Sequence, residues 1–206
     1  GISTDLIVGN HDIFYKDDLR INSIGLLLRE YDNLGIIASP QTITYGDTPV
    51  FMVPWICAGN AERFTQELDA SPARVCMGHL ELAGFYANQN YVCEKGTDAK
   101  LFSQFDQVFS GHFHKKSTAG NITYLGNSYQ LYWNDLNEMR GFHIYDLETG
   151  ELEFIPNPNT MFHKISYNES KSKLFNPNKY KDSFIKVVVE GKSTTVKLGA
   201  FVDKLY

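Results

Sequence analysis

His112 and His114 stand one residue apart, directly after the apolar pair Val108-Phe109 and the turn pair Ser110-Gly111. In backbone still extended there, both imidazoles leave the same side, because the strand period is two. Two neutral ring nitrogens on one side can approach one metal ion or two adjacent ones. The same order of apolar run, glycine and ligand-type residue occurs twice more: Leu6-Ile7-Val8 leads into Gly9-Asn10-His11-Asp12, and Val75-Cys76-Met77 leads into Gly78-His79. Asn10 adds an amide oxygen to the histidine nitrogens, a mixed set that suits Mn²⁺, Fe²⁺ or Zn²⁺ and includes no thiolate. Each stretch also has a structural reading. G-N-H-D serves as a type I′ turn with a capping Asp, His79 as a half-buried histidine with its bonds satisfied, and Glu81 as a solvated carboxylate or an outer support. His143, between Phe142 and Ile144, reads as structural and His163 as surface.

Short strands must carry these turns. Thr4 to Val8, Gly35 to Ala38, Val50 to Trp55 and Arg74 to Met77 read as strands, the third stopped by Pro54 and followed by the loop Cys57-Ala58-Gly59. Ile24, Leu27, Leu28 and Tyr31 share one helical face and predict a helix over 17–31; Ala61 to Leu68 predicts a shorter one. Leu82 to Gly96 reads mostly as loop, and Asp98 to Gln104 as helical, handing over to Phe105 to His114. Beyond His114 the pattern predicts antiparallel strands over 121–125, 140–147 and 151–155, with a turn at Glu148-Thr149-Gly150. Pro156 to Asn159 ends the first domain, so 1–157 and 158–206 are the expected domains. The second holds a polar connection from Asn168 to Asp182, a strand over Phe184 to Val189 and the start of a helix over Leu198 to Leu205.

Bulk properties narrow the function. With 206 residues, 43% of them hydrophobic, the chain can bury a sizeable core and make one domain and part of another. No run approaches the length of a membrane span and the first residues do not read as a signal peptide, so a cytoplasmic protein is expected. Cys57, Cys76 and Cys93 are odd in number and lack C-x-x-C spacing, which indicates neither a disulfide framework nor a zinc ribbon. A net charge of −5 gives no general attraction to nucleic acid. Any such binding is local, assisted by metal, or lent by a partner. Lys115 and Lys116 are the candidate phosphate contacts beside the histidine pair, and Tyr86, Tyr91, Tyr129, Tyr132 and Trp133 are candidates for stacking on unpaired bases.

The ordered set G-N-H-D, G-H, G-H-x-H resembles the metallophosphoesterase (calcineurin-like) superfamily. Within it, Val53-Pro54-Trp55, Gly78 to Tyr86, Ser110 to His114 and Arg140 to Thr149 resemble the nuclease subunits of double-strand-break repair and recombination complexes, above all those of T-even-type phages. The likeness runs over about residues 1–165, and Phe184 onward resembles that family's DNA-capping domain. It implies an α/β fold, an αββα sandwich with a dinuclear metal site, followed by part of a small α/β capping domain. The superfamily's D-x-H and G-D-x-x-D motifs do not occur in these residues. The resemblance therefore implies a sandwich incomplete at its N-terminus.

The resemblance also assigns roles. Asn10, His79 and His112 hold one metal and His114 faces the other. His11 is the general acid or transition-state stabiliser at the scissile phosphate, with Asp12 accepting from its far nitrogen. The implied cofactor is Mn²⁺, dinuclear in the complete protein, with Zn²⁺, Fe²⁺ or Mg²⁺ as alternatives. The implied activity is endo- or exonucleolytic cleavage of DNA in recombination and repair, in a homodimer partnered by a structural-maintenance-type ABC ATPase. Because the two absent motifs carry the carboxylates, one of them bridging both metals, these residues alone are expected to bind at most one ion and not to cleave. Two other readings use the same residues: a phosphomonoesterase or cyclic-nucleotide phosphodiesterase, and a non-catalytic scaffold for DNA or an ATPase.

Overall fold

The computed structural model describes residues 2–88, 91–168, 176–191 and 194–205. Gln89 and Asn90 of the expected loop, and 169–175 of the polar connection, lie outside the described residues. The chain divides into two compact units, one of residues 1–126 and 145–151, the other of 127–144 and 152–206.

The first unit is mixed α/β. Its strands are β1 (Thr4–Ile7), β2 (Ile13–Tyr15), β3 (Asp18–Asn22), β4 (Leu34–Ile37), β5 (Gln41–Tyr45), β6 (Thr48–Val53), β7 (Val75–Gly78), β8 (Tyr86–Asn88), β9 (Tyr91–Val92), β10 (Gln107–Ser110), β11 (Ser117–Ala119) and β12 (Ile122–Tyr124). Six of them form one sheet in the order β11-β12-β10-β7-β6-β5. The four central strands run parallel, and β11 and β5 pair antiparallel at the edges. Val50 to Val53 are all buried, as is Val75-Cys76, the near-continuous apolar run of a parallel strand covered on both faces. The helix α2 (Ala61–Ala70) buries Phe64 and Leu68, one turn apart, against this sheet, and Phe51, Phe102, Phe105 and Tyr124 fill the same core. Phe51 and Phe105 stack with ring centroids 5.8 Å apart.

β1 and β4 form a separate parallel pair. Val8 N–H donates to Ile37 O, Trp55 N–H donates to Val8 O, and the Tyr45 hydroxyl donates to Asp5. These bonds fix the end of β1 beside the end of β6, and with it the position of Gly9-Asn10.

Several expectations change. Residues 17–31 do not form one helix: they split into β3 and the five-residue helix α1 (Ser23–Leu27). Asn22, buried in the middle of the run, accepts from Gly25 N–H and so caps a new helix there. Leu26, Leu27 and Tyr31 stay exposed. The texture after His114 is not purely antiparallel, because β12 continues the parallel sheet beside β10. Gln41 to Tyr45 and Ser117 to Ala119 are strands that the sequence reading left out.

In the second unit, β15 (Phe162–Tyr167) and β16 (Phe184–Val189) pair in parallel, and the helix α3 (Thr195–Val202) closes a small core of Ile165, Tyr167 and Phe201. β13 (Gly141–Tyr145) and β14 (Leu152–Pro156) form a further two-stranded sheet around the expected turn. Arg140 and Asp135, both buried, form an ion pair, and Asp135 also accepts from the N–H groups of Leu131 and Tyr132. No helix among the described residues is long and apolar enough to cross a membrane.

Candidate metal centre

The three glycine-led stretches end side by side. β7 finishes at Gly78, and His79 N–H donates to Val53 O of β6; β10 finishes at Ser110, and Gly111 N–H donates to Gly78 O. The side chains that follow therefore gather beyond the carboxyl ends of parallel strands, where open α/β sheets place their ligands. The loop after His79 is pinned from below. Leu80 N–H donates to Ser110 Oγ, Leu82 N–H to the Tyr124 hydroxyl, and that hydroxyl to Leu80 O, all buried.

Asn10 Oδ1 lies 2.9 Å from His79 Nε2. This is a hydrogen bond when the nitrogen carries a proton. It is also the edge expected of two donors sharing an ion with bonds of about 2.0–2.2 Å. Gly9 makes the approach possible: a Cβ there would lie 2.7 Å from His79 Cε1. The His79 and His112 rings are 5.2 Å apart, and the Trp55 indole lies against both, 6.2 and 5.2 Å away. His112 is not in extended backbone as the H-x-H spacing supposed. Its φ is 77°, a left-handed conformation that costs a non-glycine residue about 1–2 kcal/mol. Such strain persists only where surrounding structure enforces it. Here it turns the His112 imidazole toward His79 and Trp55.

Electrostatics disfavour protonation of both site imidazoles. Burial, then the charge of His112, hold the His79 imidazole uncharged, with its pKa brought down to about 4; His11 and His114 push the same way, and Asp12 opposes. His112 is also lowered, first by burial, against the pull of Glu81. Glu81 Oε2 is 3.9 Å from His112 Nε2, and its other oxygen accepts from Cys93 Sγ at 3.6 Å. Glu81 thus stands beside a site histidine, partly solvated, which joins both of its sequence readings. Among the described residues no three His, Cys, Asp or Glu side chains gather closely enough to ligate one ion by themselves. The amide of Asn10 stands beside these imidazoles, and His114 acts on His79 through its charge.

Asp12 closes the Gly9 turn. Its Oδ2 accepts from Gly9 N–H at 2.8 Å and its Oδ1 from Ser23 Oγ at 3.5 Å. Both described carboxylate bonds run to Gly9 and Ser23, not to the far nitrogen of His11. The turn is not type I′, because Asn10 and His11 are absent from the residues with positive φ. His11 is exposed and lines, with Asn10, a cleft of about 540 Å³. Lys115 Nζ sits 4.9 Å over the Tyr86 ring, while Lys116 is exposed. Tyr86, Tyr91, Tyr129, Tyr132 and Trp133 are all substantially exposed. Trp133 also packs on Phe162, His143 on Phe154 and His163 on Tyr180. Trp55 is the site residue that sequence reasoning missed as such; the V-P-W run directly after a buried strand was its signal.

The chain that brings G-N-H-D, G-H and G-H-x-H together in an Asn-His corner at the strand ends is similar to two proteins named as nuclease subunits. It is similar to Exonuclease subunit 1 of Enterobacteria phage T4, 36% identical over 167 residues, which are 81% of this chain and 49% of that protein. It is also similar to the D component of the nuclease SbcCD of Staphylococcus epidermidis (strain ATCC 12228 / FDA PCI 1200), 25% identical over 105 residues, 46% of this chain and 28% of that protein. The chain spans about half the length of the phage relative and just over a quarter of the bacterial one. No family model matches it.

Proposed function

We propose that this chain carries the catalytic corner of a metal-dependent DNA nuclease subunit acting in recombination and repair. The observation that carries the reading is the neutral trio Asn10, His79 and His112 at adjoining strand ends, in a chain related to nuclease subunits. The donor set fits a divalent transition metal: one amide oxygen and two imidazoles whose protonation is disfavoured by burial and by neighbouring histidines. Asn10, His79 and His112 would hold Mn²⁺, with Zn²⁺, Fe²⁺ or Mg²⁺ as alternatives, and His114 would face a second ion. Bound there, the metal would supply Lewis-acid polarisation of a phosphodiester oxygen.

The chain's own residues do the rest. His11, exposed on the cleft beside Asn10, presents an imidazole able to give a proton to the leaving oxygen of the scissile phosphodiester. Asp12 positions it through the Gly9 turn. Trp55 backs His79 and His112 and keeps their rings from swinging into solvent. Lys115 and Lys116 are the proposed phosphate contacts. The finer architecture belongs to the same reading: an αββα sandwich over 1–157, a capping domain from 158, a homodimer, and a structural-maintenance-type ABC ATPase partner.

The test is a chimera in which the 167 matched residues of this chain replace the corresponding segment of the phage T4 relative. With Mn²⁺, the chimera should cut linear duplex DNA and leave a small phosphate ester nearly untouched. Turnover of the ester without cleavage of DNA would favour a phosphomonoesterase. Mn²⁺ binding with neither activity would favour a scaffold.

A further inference from the structure

The cleft beside His11 extends well past the metal corner. One wall is the β2–β3 hairpin, which contributes Ile13, Phe14, Lys16 and Asp17; the other is the loop after β6, which contributes Trp55, Ile56 and Cys57. Both walls are fixed. The buried Asn60 side chain accepts from Cys57 N–H at 2.8 Å and donates to Trp55 O at 2.9 Å. At the far end Gly59 N–H donates to Asp17 O at 3.0 Å, and a Cβ on Gly59 would lie 2.3 Å from that oxygen. Glycine at 59 therefore lets loop and hairpin touch and close the cleft. The hairpin's register breaks at Phe14: Ile13 pairs with Asn22 but Tyr15 with Asp18, so two steps along β2 match four along β3. Irregularities of this kind re-aim side chains next to active sites. Here Phe14 is left 75% exposed, braced edge-on by Tyr15 at 4.9 Å.

We propose that this cleft seats one unpaired nucleotide next to the scissile phosphate, with its base against Phe14 and Trp55, an inference that rests on the nuclease reading. The lining selects for a base over a length of backbone. Tracking a duplex takes a row of cations, whereas this cleft offers one ammonium, Lys16, and one carboxylate, Asp17. Two aromatic rings give a planar base a stacking surface, worth about 1–3 kcal/mol per base in single-strand sites. Asp17 can accept from an N–H on the Watson–Crick edge of an unpaired base, an amino or a ring N–H. Lys16 is left for one phosphate. The volume of about 540 Å³ falls within the range of small-ligand sites, about 300–1,000 Å³. Because Trp55 also touches His79 and His112, a base seated on it adjoins the metal corner.

Trp55 is its own reporter. The chain has two tryptophans, so Trp133→Phe leaves Trp55 as the sole indole. With EDTA present, a short oligothymidylate should quench its emission, a blunt hairpin duplex should do so at least tenfold more weakly, and Phe14→Ala should weaken the oligothymidylate response at least threefold. A second measurement uses the unsubstituted chain: an oligonucleotide carrying 5-iododeoxyuridine should photo-crosslink to Phe14 or Trp55. Equal quenching by duplex, no response to either DNA, or crosslinks confined to other residues would overturn the proposal. Binding without metal separates it from catalysis. Quenching of Trp55 in a chain whose chimera cuts nothing would leave the seat standing without the nuclease. A DNA-cutting chimera whose KM is indifferent to Phe14→Ala and Lys16→Ala would remove the seat and leave the nuclease.

Discussion

The His79 imidazole, held neutral to about pH 4 by burial and by His112, ties folding to acidity. An unfolded chain would protonate it near 6.5, so between about pH 6.5 and 4 the unfolded state binds more protons than the folded one. Stability is therefore fully present above 6.5 and is lost as the pH falls through that window, by at most about 3 kcal/mol from this group. His112, shifted the same way, adds to the same sign. In EDTA the melting temperature should fall between pH 7 and 4.5, and His79→Gln should flatten the slope. A pH-independent melting temperature would contradict the burial of His79. Gly9→Ala tests the close approach. Its methyl would meet His79 Cε1 at 2.7 Å, so the ring must move off Asn10, and Mn²⁺ affinity should drop about 10- to 100-fold with the circular dichroism unchanged. The types of these residues were legible in sequence; the left-handed His112, the part of Trp55 and one bond of Asp12 were not. The first two depend on which strand ends lie side by side, which is a tertiary fact; of the Asp12 bonds, the local one to Gly9 is the cap the sequence allowed and the one to Ser23 is tertiary.

At the scale of elements, the runs that read best were those with one uninterrupted pattern, either a block of β-formers or an amphipathic helical face. Val50 to Val53, Val75 to Gly78, Phe184 to Val189 and the helix over 61–70 came out within about two residues of expectation. Residues 17–31 misled because an apolar helical stripe was present, yet the buried Asn22 cap started the helix in mid-run. Phe162 to Tyr167 was passed over, although Phe162, Ile165 and Tyr167 are buried and Lys164 and Ser166 exposed, an imperfect alternation. In the second unit the Arg140–Asp135 pair joins the end of one loop to the start of β13. Both side chains are buried, so Arg140→Leu would leave a carboxylate uncompensated and should destabilise that unit by about 3–5 kcal/mol. Thermal melting measures it; a loss under about 1 kcal/mol, the usual worth of an exposed pair, would mean that the pair is solvated in solution.

At the scale of the whole molecule, a chain of net charge −5 concentrates neutral nitrogen and oxygen donors at one corner. Two divalent cations held there by Asn10, His79, His112 and His114 would repel each other with no carboxylate between them. Calorimetric titration of these 206 residues should accordingly give at most one Mn²⁺ per chain, and the chain alone should not cleave DNA. Two tight ions per chain would show that a further carboxylate completes the centre, Glu81 beside His112 being a candidate. The most direct test of the nuclease assignment compares the chimera with and without His11→Asn. Both forms should bind Mn²⁺ equally, and the substitution should slow DNA cleavage by about 10²–10⁴-fold, the usual worth of a general acid. Cleavage at an unchanged rate, or metal affinity falling together with cleavage, would contradict it.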